Sequence, residues 1–335
     1  MPDELNVLQE QTISVLRSHL AAGERVALLD FPNHQNSGDS LIWLGERQYL
    51  ARVGVRIVFA CDILRYDRSF INRYAPGATL LLHGGGNLGD RWIDYQDFRE
   101  RVITDFPDRK IVQLSQSIEF TEGERLDRAV RIFSDHPNFS LLLRDSVSIA
   151  KARRIFPEVS IDFCPDLALG YGRLRPFGRP ATEIVVVKRR DSEAVFSGAL
   201  YEGAFSESAE YWDWGLNGWK QSAWRALHVP GGLWRRFPAS RPLLKLGLVK
   251  VFDRQAMLNV GNAIAVLSRG HVVVTDRLHS AVLAMLMDKP VVVLDNANGK
   301  ISAIFQDYLG SVGNVRFAND VSEASELADN FINIG

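Results

Sequence analysis

Four short stretches of this 335-residue chain put polar, reactive side chains directly after apolar runs. The most pointed is TDRLHS (275–280), where VVV leads into Asp276, Arg277, Leu278 and His279 and then an apolar helical pattern. An imidazole at a helix start, beside a guanidinium, can act as a base when neutral and as an acid once protonated. A second arginine, Arg144, ends the apolar run in LLLRDSVS (141–148). A guanidinium leaving a buried strand needs an anion, which Asp145 or a ligand could supply. FPNHQNSGDSL (31–41) offers Asn36 and Asp39, with Asp39 or Ser40 able to cap the helix that follows. HGGGNLGD (83–90) brings Gly85, Gly86, Asn87 and Asp90 to the end of ATLLL. Glycines there let a backbone approach a ligand, but the stretch lacks both the Lys-Ser/Thr of a P-loop and the G-x-G-x-x-G spacing of a dinucleotide site. Two arginines and a histidine at strand ends suit a small substrate with two anionic groups, one for each guanidinium. No His, Cys and carboxylate cluster has metal-ligand spacing, and there is no G-x-S-x-G elbow.

The elements that must position these residues are legible in the pattern. RVALLDF, RIVFACD, ATLLLHG, KIVQLSQS and FSLLLRD read as strands, with VSIDFCPD as a sixth, and amphipathic helices lie between them. Continuous apolarity predicts strands buried on both faces, hence a parallel, doubly wound α/β unit over residues 1–172. LGYGRLRPFGRPAT (169–182) reads as a linker. A second Rossmann-like unit, 173–335, resumes with EIVVVKR, HVVVTD and PVVVLD, with helices from Asp253, His279 and Lys300. The fold class is α/β, with two such units facing a cleft, and ligands gather at the carboxyl ends of the strands in open α/β sheets.

An insertion at 205–252 interrupts the second unit. Its segment 211–250 holds five of the seven tryptophans, and seven Lys or Arg against one acid. It reads either as a helical insertion that buries its tryptophans or as a contact for an anionic membrane surface. A formal net charge of -1 gives no reason to expect nucleic acid as a partner. Cys61 and Cys164 lie in apolar runs and read as small buried hydrophobes. The first twenty residues carry charges and no apolar stretch of signal-peptide type, so the expectation is a cytoplasmic protein, peripheral on the inner face of the plasma membrane through 211–250.

Taken in order, NSGD (36–39), HGGGNLGD, LRDSVS, CPDLAL (164–169), TDRLHS and the tail NGKISAIFQDYLG (298–310) resemble the polysaccharide pyruvyl transferase family. The resemblance implies a two-domain GT-B-like fold and transfer of a pyruvyl group from phosphoenolpyruvate to sugar hydroxyls, closing a cyclic ketal. It makes His279 the catalytic acid or base and Arg277 the donor-binding arginine, with Leu278 contributing backbone and packing. Arg144 becomes the partner arginine, with Arg189 and Arg190 as alternatives. Asn36, Asp39, Gly85, Gly86, Asn87 and Asp90 then face the acceptor, a glycan that is polymeric or lipid-linked. Neither a metal nor a further cofactor is expected. The rival expectation is a GT-B glycosyltransferase using a nucleotide sugar, which needs an acid for the ribose, and Asp276 or Asp295 could serve. The Trp-rich segment has no counterpart in the family pattern.

Overall fold

Apolar runs without alternation become strands when both faces of a sheet are covered, and that is their fate here. A computed structural model of the protein describes residues 4–188, 203–205, 208–295, 299–312 and 314–334. The first part of the chain forms β1 (Arg25–Leu29), β2 (Arg56–Cys61), β3 (Thr79–Leu82), β4 (Gly85–Gly89), β5 (Ile111–Glu119), β6 (Phe139–Leu143) and β7 (Ser160–Phe163). The second part forms β8 (Thr182–Val187), β9 (Glu210–Trp212), β10 (Gly270–Thr275), β11 (Val291–Leu294) and β12 (Val315–Ala318). The first seven strands make one sheet in the order β2-β1-β3-β5-β6-β7, with β4 also paired to β5; the other five run β9-β8-β10-β11-β12. All these pairings are parallel.

The two sheets share one winding. In each, the second strand lies on one side of the first and the third strand on the other, so the order reverses between β1 and β3 and again between β8 and β10. Loops leaving such a point diverge and open a crevice at the carboxyl ends of the strands. The loops after β1 and β3 carry 31–36 and 83–84; those after β8 and β10 carry Lys188 and 276–277. Two Rossmann-like units with a common cavity give the protein its GT-B-like fold.

Three strands had no signal in the sequence. HGGGNLGD, read as a loop, is largely β4, and two of its four glycines serve the neighbouring backbone. A Cβ on Gly84 would stand 2.7 Å from the Ser115 carbonyl oxygen, and one on Gly89 would overlap the Glu119 carbonyl. Only glycine permits so close an approach. β9 and β12 are short and lack the long apolar runs of their neighbours.

The Trp-rich segment becomes β9, the helices Gly218–Ala226 and Val229–Arg236, and the start of a 27-residue helix, Arg241–Leu267. The helix expected from Asp253 therefore begins twelve residues earlier. It lies against the helix Ser37–Val53 of the first unit. Trp43 Nε1 and Arg47 Nε both donate to Asp253 Oδ1, at 2.9 and 3.2 Å, while Asn259 Nδ2 donates to Ser40 Oγ at 2.9 Å. Trp234 is buried edge-on to Phe70, with ring centroids 4.7 Å apart. The two units are thus joined by a shared helical layer. Both cysteines are free and buried.

Candidate active site

A cavity of about 780 Å³ lies between the carboxyl ends of the two sheets and is lined from both. On one wall, β10 ends and the chain turns into the helix Leu278–Leu286, with Arg277 at the N-cap and its backbone N–H donating to Thr275 Oγ1 at 3.1 Å. This turn aims Arg277, Leu278 and His279 into the cavity. Arg277 Nε donates to the Lys188 carbonyl at 3.3 Å, and Nη2 stands 3.8 Å from Asp213 Oδ1. Its guanidinium carbon lies 5.5 Å from the Trp214 ring centroid, so the Trp-rich segment reaches the site at 213–214.

His279 crosses to the first unit. Its Nε2 is 3.3 Å from Asp166 Oδ2, and the same oxygen accepts from Arg144 Nη1 at 2.6 Å. Arg144 Nε donates to Ser117 Oγ at 2.9 Å. Burial alone would push the Asp166 carboxyl up, but the charges of Arg144 and His279 and the hydrogen bond from His279 outweigh it and hold the group far below the carboxylate range. An ionised carboxylate only accepts, so His279 Nε2 carries the proton in this contact. The other ring nitrogen lies against Gly38, where a Cβ would stand 2.7 Å from Nδ1. Gly86 gives Arg144 the same clearance, its missing Cβ being 3.0 Å from Nη2.

The opposite wall is built on the helix Ser37–Val53. Its N-cap is Asn36, whose Oδ1 accepts from the Gly38 backbone N–H at 2.8 Å, and not Asp39 or Ser40 as expected. Relieved of capping, Asp39 accepts from His34 Nε2 at 2.8 Å, and the Tyr95 hydroxyl lies 3.2 Å from His34 Nδ1. Burial raises the Asp39 carboxyl, but the hydrogen bond and charge of His34, with His279 and His83 nearby, bring it down to about 2. For His34, burial works against the charged form, but the bond and charge of Asp39 prevail and raise it above its ordinary range. Behind this wall, His83 Nδ1 pairs with Glu46 Oε2 at 2.8 Å, and Glu46 Oε1 accepts from the Gly84 N–H.

This order of residues is recognised across most of the chain: the family model described as Polysaccharide pyruvyl transferase matches residues 36–298. The chain belongs to the polysaccharide pyruvyl transferase family. Among the relatives of this pyruvyl transferase family member is EpsO of Bacillus subtilis (strain 168), named for pyruvyl transfer. It is 29% identical over 318 residues, 95% of this chain and 96% of its own length. Pyruvyl transferase 1 of Schizosaccharomyces pombe is 29% identical over 316 residues, 90% of this chain and 74% of its own. In fold, the crystal structure of a functionally uncharacterized Klebsiella pneumoniae protein matches with a TM-score of 0.58 at 17% identity, covering 93% of this chain and 99% of that one.

Within this family member, the cavity collects Arg277, Leu278, His279, Arg144, Asn36, Asp39, Gly86 and Asn87. Two expected acceptor contacts are not among its lining residues. Asp90 instead accepts from the Thr121 backbone N–H at 2.8 Å and from its hydroxyl. Gly85, at φ 136°, sits over Ile42 within β4. Asn87 lines the cavity with its Oδ1 already accepting from Arg99 Nη2 (3.0 Å) and Gln116 Nε2 (2.9 Å). Arg144 does not use Asp145, which caps the helix Ser146–Ile155 through Ser148 N–H and accepts from Ser117 Oγ. The alternatives Arg189 and Arg190 lie outside the described residues.

Sequence reasoning missed Asp166, although it stands inside the quoted CPDLAL. It also missed His34 within FPNHQNSGDSL, and Tyr95 and Trp214. A buried arginine at one strand end implies an acid at a neighbouring strand end, and that signal could have found Asp166.

Proposed function

We propose that this protein transfers the pyruvyl group of phosphoenolpyruvate to two hydroxyls of one sugar in a polysaccharide or its lipid-linked precursor, forming a cyclic ketal. The observation that carries the reading is Asp166, which ties a histidine from one unit and an arginine from the other to the same carboxylate at the cavity. Phosphoenolpyruvate presents a carboxylate and a phosphate, and Arg277 and the cavity edge of Arg144 suit one each.

The chemistry runs in two additions. His279 gives a proton to the methylene carbon, which becomes the methyl group, and C2 turns cationic. A sugar hydroxyl oxygen bonds to C2 and releases its proton to the opposite wall, where the ionised Asp39 carboxylate, held by His34, is the acceptor of the proton. The second hydroxyl then bonds to C2 as the C2–O bond to phosphate breaks; its proton passes to the departing phosphate, which leaves as inorganic phosphate. The guanidinium groups stabilise the donor's charge and the departing phosphate. Anionic Asp166 supports the imidazole as it gains and loses its proton, and the scheme calls on no metal or further cofactor.

The nucleotide-sugar alternative finds less support. Neither Asp276 nor Asp295 is among the residues lining the cavity, and Asp295 accepts from the Ser302 N–H. Incubation with phosphoenolpyruvate and candidate glycans, followed by mass spectrometry, should reveal a pyruvyl adduct together with released phosphate. His279→Ala is expected to fold normally and to lose about two to four orders of magnitude in turnover. Turnover near wild type in that variant would remove His279 from the mechanism. Thermal stabilisation by a uridine diphosphate sugar and not by phosphoenolpyruvate would favour the glycosyltransferase.

A further inference from the structure

Beyond the cavity, the basic segment of the second unit ends in an exposed corner. Residues 215–252 contain seven Lys or Arg and no Asp or Glu, in a chain whose net charge is -1. The helix Val229–Arg236 buries Gly231 and Trp234 against the first unit. The other side of this helix carries Val229 and Leu233, one turn apart, and Phe237 one turn further, all exposed. The chain then reverses tightly: the Ser240 N–H donates to the Phe237 carbonyl at 2.9 Å, and Arg241 Nε donates to the Trp234 carbonyl at 3.2 Å. Leu243 follows in the first turn of the next helix, 86% exposed, and Trp219 in the preceding helix is 72% exposed. Arg225, Arg235, Arg236 and Lys250 are exposed on the same segment. Large apolar side chains left in water among cations of one sign are costly in an ordinary surface.

We propose that this corner docks on an anionic lipid bilayer and holds the mouth of the cavity at that surface. Charge selects the occupant. An isologous dimer through this corner would bring the cationic faces of two copies together, which is repulsive. Anionic headgroups would instead neutralise them, while Trp219, Leu233, Phe237 and Leu243 enter the headgroup–acyl boundary. The two shorter helices are nine and eight residues long, far short of the roughly 20 needed to span a bilayer, and among the described residues no helix, the 27-residue one included, is long and apolar enough to cross it, so the contact lies on the surface. The corner also adjoins the site. Leu64 lines the cavity yet is 64% exposed, and its neighbour Arg65 packs directly on the backbone of Gly231, leaving no room for a Cβ there. A membrane-borne acceptor would therefore meet the cavity rim where the protein touches the bilayer.

Co-sedimentation of the full chain with vesicles tests this without reference to catalysis. Vesicles of phosphatidylcholine containing about one third phosphatidylglycerol should retain the protein, and pure phosphatidylcholine should not, with binding weakened by salt. Two variants separate the contributions: Leu233→Asp with Phe237→Asp, and Arg235→Glu with Arg236→Glu. Each pair should lower binding by about tenfold or more while the circular dichroism spectrum stays that of the wild type. Equal binding to neutral and anionic vesicles would overturn the proposal, as would no binding to either. A stable dimer in light scattering that Phe237→Asp dissociates would assign the corner to a second copy instead.

Discussion

Asp30 offers a direct test of the electrostatics beneath the acceptor wall. It follows β1 with a left-handed backbone (φ 71°) and is 2% exposed, and its Oδ1 has no hydrogen-bond partner among the described residues. Burial pushes its carboxyl from 3.8 up to about 7, against the opposing pull of the charges on His83, Arg99 and His34. In the unfolded chain the group ionises near 3.8; in the fold it holds its proton until about 7. The unfolded state therefore binds fewer protons across that interval, and stability falls as pH rises through it, levelling above about 7. At about 1.4 kcal/mol per pH unit the full loss is about 4 kcal/mol. Asp30→Asn removes the ionisation, keeps the shape, and tolerates the left-handed conformation. The expected result is a variant similar in stability to the wild type near pH 4 and more stable by up to about 4 kcal/mol at pH 8. Urea unfolding followed by tryptophan fluorescence at several pH values would measure it. All other titrating groups are common to both proteins, so the difference curve reports Asp30 together with its coupling to His83, Arg99 and His34. A difference independent of pH would refute the reasoning.

Three further outcomes follow from the geometry. Asp166→Asn leaves the Arg144 guanidinium buried without its counter-charge, so thermal or urea unfolding should register a loss of about 3–5 kcal/mol, accompanied by loss of turnover. Gly38→Ala should keep the helix, since alanine exceeds glycine in helix propensity by about 1 kcal/mol, yet displace His279. Turnover is expected to fall about 100-fold with circular dichroism unchanged, and unimpaired turnover would show that the imidazole does not depend on that clearance. Asp253→Asn weakens the acceptor shared by Trp43 and Arg47; a cost of about 1–3 kcal/mol is expected in urea unfolding, and Trp43→Phe in the same background should add little.

The strand positions were legible because burial on both faces writes itself as uninterrupted apolar sequence, as in RVALL and GHVVVT. β4 was not, because a glycine-rich strand held by its approach to another backbone has no such signature. The cap of the helix Ser37–Val53 was misread among four polar residues within five positions, and that error hid the pairing of Asp39 with His34. The Trp-rich segment shows how far one composition can divide: Trp214 lines the cavity, Trp234 is buried against Phe70, and Trp219 stands in solvent.

By itself, then, the sequence determined which reactive side chains stand at strand ends, because a buried strand must stop where charge begins. It also determined that the strands are parallel, from their apolarity. Which charge meets which was decided only in three dimensions. Asp166 lies 22 residues from Arg144 and 113 from His279, and Asp253 lies 210 from Trp43. Coulombic pairing depends on separation in space and on exclusion of water, and neither quantity is a property of spacing along a chain.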